Sequence, residues 1–138
     1  MDEAKRERVQ NWLTNAAIDL ESAKVLATGS NHRLFETAVY HCQQAAEKAV
    51  KGFLFFHDQR FSKTHDIEAL INLAGPIEVG FEKWREATNL LTPYVAVYRY
   101  PGSPPSPTRK EFNQALRSAT NIYTFVLSLL PPDTHPKK

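Results

Sequence analysis

The sequence predicts an all-α fold, an up-and-down four-helix bundle with an additional short helix, and three observations predict it. Apolar residues recur at alternating steps of three and four through the long segments, no segment alternates in the strand manner between hairpin turns, and the chain has no repeat at solenoid or propeller periods. With 138 residues, 42% hydrophobic and 23% charged, one core fits and two do not. The expected organisation is therefore a single helical domain over 1–138, its core running from about 8 to 130, with a proline-rich loop at 101–107 and a polar tail at 131–138.

Taken in order, the stripe Val9, Leu13, Ala16, Leu20, Ala23 and Ala27 makes the first helix amphipathic from Glu3 to about Thr28. Gly29 can stop it, and Asn31 can cap the next. The second helix, about Leu34 to Phe56, separates into two faces. Its apolar arc of roughly 160° includes Ala45, Ala49 and Gly52, small residues that let a neighbouring helix approach closely, and the opposite arc holds Tyr40, His41, Gln43, Gln44, Glu47, Lys48 and Lys51. A short third helix follows with Thr64 as its cap, carries Ile67, Leu70, Ile71 and Leu73, and ends at Gly75-Pro76. The fourth carries Phe81, Trp84, Ala87, Leu90 and Leu91, is kinked or restarted at Thr92-Pro93, and runs out at Tyr100-Pro101-Gly102. Thr108-Arg109-Lys110-Glu111 reads as a capping box for the last helix, which Pro131-Pro132 stops.

Composition narrows the function classes. The single cysteine, Cys42, leaves no intrachain disulfide and no cysteine-based metal centre, which fits a reducing, cytoplasmic setting. No signal peptide and no membrane span is expected. The five histidines form no helical metal pair, and neither a phosphate-cradling glycine loop nor a serine elbow is present, so neither a metal nor another cofactor is expected. A net charge of +2 announces no nucleic-acid binder, although the last third is the basic part: residues 76 to 138 carry eight basic against five acidic side chains.

Two groups can carry chemistry. On the second helix Tyr40, Gln44, Glu47 and Lys51 stack one turn apart, either as ordinary solvated surface or as a binding or dimer face. Tyr94, Tyr98, Arg99 and Tyr100 precede the proline loop. Rings beside a guanidinium can stack a base and neutralise a phosphate, or can staple the loop to the bundle through hydroxyls and an arginine ion pair.

The segments Ala16-x-x-Asp19-Leu20-x-x-Ala23, Gln43-Gln44-Ala45-Ala46-Glu47-Lys48-Ala49-Val50-Lys51, Thr64-His65-Asp66-Ile67 and Arg99-Tyr100-Pro101-Gly102 resemble the HEPN family, the higher eukaryotes and prokaryotes nucleotide-binding domain, over about Arg8 to Leu130. The resemblance implies a helical bundle, frequent homodimers, and pairing with a minimal nucleotidyltransferase in toxin–antitoxin-like systems. It also implies, for many members, metal-independent RNA cleavage through an Arg-x4-6-His motif near a dimer cleft. Here Arg99 is followed by no histidine at that spacing, whereas Arg60 and His65 meet it in the loop before the third helix, where a two-residue pattern arises easily by chance.

Cleavage through the RNA's own 2′-hydroxyl needs a proton acceptor and a fixed cation, the parts histidine and arginine play. The candidates for such catalysis are Arg99, His41 and His65. The expectation is nonetheless a nucleotide- or RNA-binding component of a nucleotidyltransferase-associated pair, a homodimer in which Arg99 contacts phosphate, Tyr98 or Tyr100 stacks on a base, and Gln44, Glu47 and Lys51 supply polar recognition. The alternatives are a metal-independent endoribonuclease toxin and a purely structural dimerisation module.

Overall fold

Helix α1 (Glu3–Leu26) begins where the Asp2 carboxylate accepts the Lys5 backbone N–H, and it buries Val9, Leu13, Ala16, Leu20 and Ala23 along one stripe. A turn leads into α2 (Arg33–Phe56), which folds back against it. The antiparallel register is set by contacts that run in opposite directions: Asp19 meets His41 and Lys48, Gly52 meets Trp12 and Leu13, and Lys5 meets Asp58. A methyl group added at Gly52 would stand 3.1 Å from Trp12 Cβ, so the close approach expected at the small residues of α2 is realised there. The structure, a computed structural model, describes residues 1–137.

α2 is the central element, packed by α1, by α5 (Arg109–Leu129) and by α3 (Ile67–Ala74), and among the described residues no strand occurs. The fold is all-α, with five α-helices among the described residues. At α3 the capping differs from expectation. Asp66, not Thr64, is the N-cap, its carboxylate accepting from Glu68 and Ala69, while Thr64 supports it from behind by accepting the Asp66 N–H. The carboxylate lies closer to the orphan N–H groups and carries the better charge for that end.

The fourth segment is less continuous than its apolar pattern predicts. A 3₁₀ turn (Val79–Trp84) leads into the short α4 (Arg85–Leu91), and a second 3₁₀ turn (Thr92–Val95) follows. Pro93 carries no N–H for an α-helical bond, and the Thr92 hydroxyl donates to the Thr88 carbonyl at 2.9 Å while accepting the Ile67 N–H at 3.3 Å, which fastens the break to the start of α3. Phe81 joins the layers, its ring 4.7 Å from Phe53 on α2 and 5.0 Å from Phe125 on α5. The Thr108/Glu111 capping box opens α5 as expected. Beyond it the tail packs: a 3₁₀ turn (Pro132–Thr134) buries Thr134, and Gln10 donates to the His135 carbonyl at 2.8 Å. Lys138, the end of the expected tail, lies outside the described residues.

Candidate functional site

A crevice of about 210 Å³ opens between α2 and the segment after α4. α2 contributes Glu36 and Tyr40 one turn apart, with Thr37 and His41 beside them; the facing wall is Tyr94, Tyr98 and Arg99. The facing wall is held by short helical turns, the Val97 N–H donating to the Pro93 carbonyl and the Arg99 N–H to that of Ala96. Tyr94 and Tyr98 therefore stack, 6.4 Å apart with ring planes 13° from parallel. Burial first, and then the neighbouring Tyr94, Glu111 and Glu36, pushes the Tyr98 phenol above its ordinary pKa; burial first, then Glu111 and Cys42, does the same to Tyr94. Both stay protonated at neutral pH and present hydroxyl donors.

The Arg99 guanidinium carbon sits 4.2 Å from the Tyr40 ring centroid. Arg99 is exposed and makes no ion pair among the described residues, so the staple with an arginine ion pair, open on the sequence, is not formed. Its charge stands at the mouth of the crevice with no carboxylate within ion-pair distance among the described residues, although Glu36 lines the same crevice. Tyr100 is 69% exposed and does not line the crevice.

Behind His41 lies a second layer that spacing alone does not reveal. Asp19 sits on the buried stripe of α1, and its carboxylate takes His41 Nδ1 at 2.8 Å on one oxygen and the Lys48 ammonium at 2.7 Å on the other. A carboxylate accepts, so Nδ1 carries the proton and Nε2 is the nitrogen left for a ligand. The sequence signals for Asp19 are its place in the Ala16-x-x-Asp19-Leu20-x-x-Ala23 segment of the family resemblance and its position as an acid on an otherwise apolar stripe. Cys42, next in the chain, is fully buried, and burial first, then the Asp19 charge, pushes its thiol up to about 12, so it stays a thiol and supplies no nucleophile.

The remaining residues expected to recognise a ligand assemble elsewhere. Glu47 accepts from His65 Nδ1 at 2.9 Å and Gln43 Nε2 at 3.0 Å on one oxygen, and from Lys51 Nζ at 2.9 Å on the other. Gln43 also donates to the His65 carbonyl at 3.0 Å. The Lys51 ammonium lies 5.9 Å from the Trp12 ring and 5.8 Å from that of Phe61. Glu47 and Lys51 are thus buried against each other rather than presented on a solvated face, because the chain between α2 and α3 returns across that side of α2 and brings Phe61 and His65 with it. Gln44 is half-buried and stands outside the crevice. The structure brings His41, Tyr98 and Arg99 together with Glu36, Thr37, Tyr40 and Tyr94; it does not bring Gln44, Glu47, Lys51, His65 or Tyr100 to them.

Among the described residues no cluster of three or more histidine, cysteine, aspartate or glutamate side chains stands ready for a metal ion, and no helix is long and apolar enough to cross a membrane. The family model described as HEPN domain matches residues 9–129. No curated protein matches the chain. Among solved structures, the crystal structure of TT1696 from Thermus thermophilus is similar, with 32% sequence identity, a TM-score of 0.76, and coverage of 90% of this chain and 99% of that one.

Proposed function

The chain belongs to the HEPN domain family, and from that premise we propose that it binds a nucleotide or single-stranded RNA in the crevice beneath Arg99. The observation that carries this reading is the guanidinium at 4.2 Å over Tyr40 with no carboxylate paired to it, beside the stacked Tyr94 and Tyr98. A phosphate meets the cation, and a base lies against the phenol rings. At about 210 Å³ the crevice is smaller than a drug-sized pocket, so it takes one base rather than a run of them. Tyr98 is the stacking residue; Tyr100 serves only a ligand that extends beyond the mouth.

The partners follow the family reading: a homodimer, a minimal nucleotidyltransferase as the paired protein of a toxin–antitoxin-like system, and a cytoplasmic setting. The homodimer has local support in Ile18 and Val25, 54% and 63% exposed on α1 beside a groove that adjoins the crevice through Thr37 and His41.

Calorimetric titration with each of the four ribonucleoside 5′-monophosphates and with a labelled single-stranded RNA of mixed sequence tests the reading at fixed salt. Arg99→Ala weakens binding by about tenfold or more, because it removes one charge-assisted hydrogen-bonding partner of the phosphate. An Arg99→Ala protein that binds as the parent does refutes it.

A second reading, metal-independent endoribonuclease, is favoured by one observation, the Asp19 carboxylate on His41 Nδ1 at 2.8 Å. In this reading His41 Nε2 takes the 2′-hydroxyl proton as the 2′-oxygen bonds to phosphorus, the bond to the 5′-oxygen breaks, solvent protonates the departing oxygen, and Arg99 stabilises the phosphate charge. Cleavage of labelled RNA in the presence of chelator, lost in both Arg99→Ala and His41→Ala, establishes it, and intact RNA excludes it.

A further inference from the structure

We propose that the crevice selects guanine, read by the Glu36 carboxylate; the inference rests on the nucleotide-binding reading above and narrows it to one base. Glu36 is half-buried and lines the crevice one turn from Tyr40. One of its oxygens, Oε2, accepts from the Ser106 hydroxyl at the end of the proline-rich loop, while Oε1 has no hydrogen-bond partner among the described residues. An ionised carboxylate has about four acceptor sites, so Ser106 fixes its orientation and leaves both oxygens able to receive a ligand.

The chemistry of the four bases then discriminates. Guanine alone presents two adjacent donors on its Watson–Crick edge, N1–H and N2–H, spaced for the two oxygens of one carboxylate. Adenine and cytosine each set an amino donor beside a ring-nitrogen acceptor, which would face a carboxylate lone pair, and uracil flanks its single N–H with two carbonyl oxygens. A carboxylate held at the edge of an aromatic crevice favours the first and repels the others.

The remaining wall agrees with this occupant. The Tyr94 and Tyr98 rings supply the stacking surface, and Arg99, charged and unpaired, supplies the phosphate contact. Glu36 and Arg99 line one crevice without pairing with each other, so each keeps its charge for a ligand that carries donors at one end and an anion at the other. A nucleotide of guanine has that layout, whether free or within a single-stranded RNA.

The test is calorimetric titration of the full chain at one salt concentration with guanosine, adenosine, cytidine, uridine and inosine 5′-monophosphates. Guanosine monophosphate is expected to bind about tenfold tighter or better than the adenosine, cytidine and uridine forms, the discrimination typical of one good bidentate pair. Inosine monophosphate, which lacks the N2 amino group, falls between. Glu36→Gln removes the preference by replacing one acceptor with a donor.

Equal affinity for all five in the parent protein, abolished by Arg99→Ala, overturns the guanine assignment and leaves the crevice reading standing. No binding of any nucleotide overturns both. A guanine preference that survives Glu36→Gln also overturns the assignment, and should that variant fail to fold, the guanosine–inosine contrast in the parent protein decides alone. A guanine-bearing single-stranded oligonucleotide, compared with oligouridine of equal length, separates the two sources: a gain over the mononucleotide assigns RNA, and equal affinity assigns the free nucleotide.

Discussion

Replacing Glu47 with alanine tests whether the α2 polar arc is a structural ion network. The side chains of Glu47 and Lys51 are 4% and 9% exposed, so the substitution strands an ammonium group in a nearly dry site and leaves the buried Gln43 amide without its carboxylate acceptor. Breaking one side of a buried pair costs about 3–5 kcal/mol. The lower end applies here, since His65 is 62% exposed and rehydrates, and Lys51 retains the Trp12 and Phe61 rings. An unfolding entropy of about 2.1 cal/mol/K per residue over 138 residues then converts about 3 kcal/mol into a fall in Tm of about 10 °C. The companion variant Glu47→Leu with Lys51→Met removes both charges and should recover most of that loss, since a hydrophobic replacement of a buried pair is close to neutral. Thermal denaturation followed by circular dichroism, with nucleotide titration of each folded variant, decides. A single variant melting within about 3 °C of the parent, or a double variant melting as low as the single one, refutes the reasoning.

Gly52→Val should cost about 1–3 kcal/mol in urea denaturation, because its first carbon would press on Trp12 Cβ at 3.1 Å, an atom fixed to the backbone with little freedom to yield, and on the buried Leu13 Cδ2 methyl at 3.3 Å. Cys42 should resist a thiol reagent at pH 8 in the native protein and react at once in denaturant, given full burial and a thiol held near 12; native-state labelling at the denatured rate would contradict the packing. The pKa of His57 is lowered, by burial first and then by the Lys5 charge, against an opposing pull from Asp58. Its folded pKa therefore lies below the unfolded value of about 6.5, so the neutral-ring contribution is complete above that pH and is lost as pH falls through the folded pKa. Urea denaturation between pH 8 and 5 should show the parent losing more stability than His57→Gln toward the acid end, and parallel profiles would remove the assignment.

The helices were legible wherever one face meets the core and the other meets water. The stripe Val9, Leu13, Ala16, Leu20 and Ala23 is buried as its spacing requires, and the Thr108/Glu111 box starts α5 where its residue types put it. The rule failed on α2 because that helix is covered on more than one side. Gln43, Glu47 and Lys51 fall on the polar arc by angle, yet the chain leading to α3 closes over them, and long-range coverage of that kind leaves no mark on a helical wheel. The broken fourth helix was half legible: Pro93 marked the interruption, while the anchoring of Thr92 to Ile67 depends on a contact 25 residues away.

The motif that carried the family resemblance divides, in three dimensions, by task. Asp19 gathers His41 and Lys48 across the α1–α2 seam, and Glu47 gathers Gln43, Lys51 and His65 where the α2–α3 connection returns. Each cluster is one buried carboxylate satisfied by two or three donors, an arrangement that fixes the register of the segments it joins and penalises any alternative that strands a charge. Most of the motif therefore specifies the frame. Arg99 is the exception: exposed and in no ion pair among the described residues, its charge meets the frame through the Tyr40 ring, and its guanidinium N–H groups stay open to the anion proposed above. His41 belongs to both groups, locked by Asp19 through one nitrogen and lining the crevice with the rest of its ring, so Asp19→Asn separates the two roles. If the frame alone matters, the variant lowers Tm and leaves the affinity of the folded protein for nucleotide or RNA unchanged; if His41 also acts in the crevice, any cleavage activity falls and its pH profile shifts while binding through Arg99 persists.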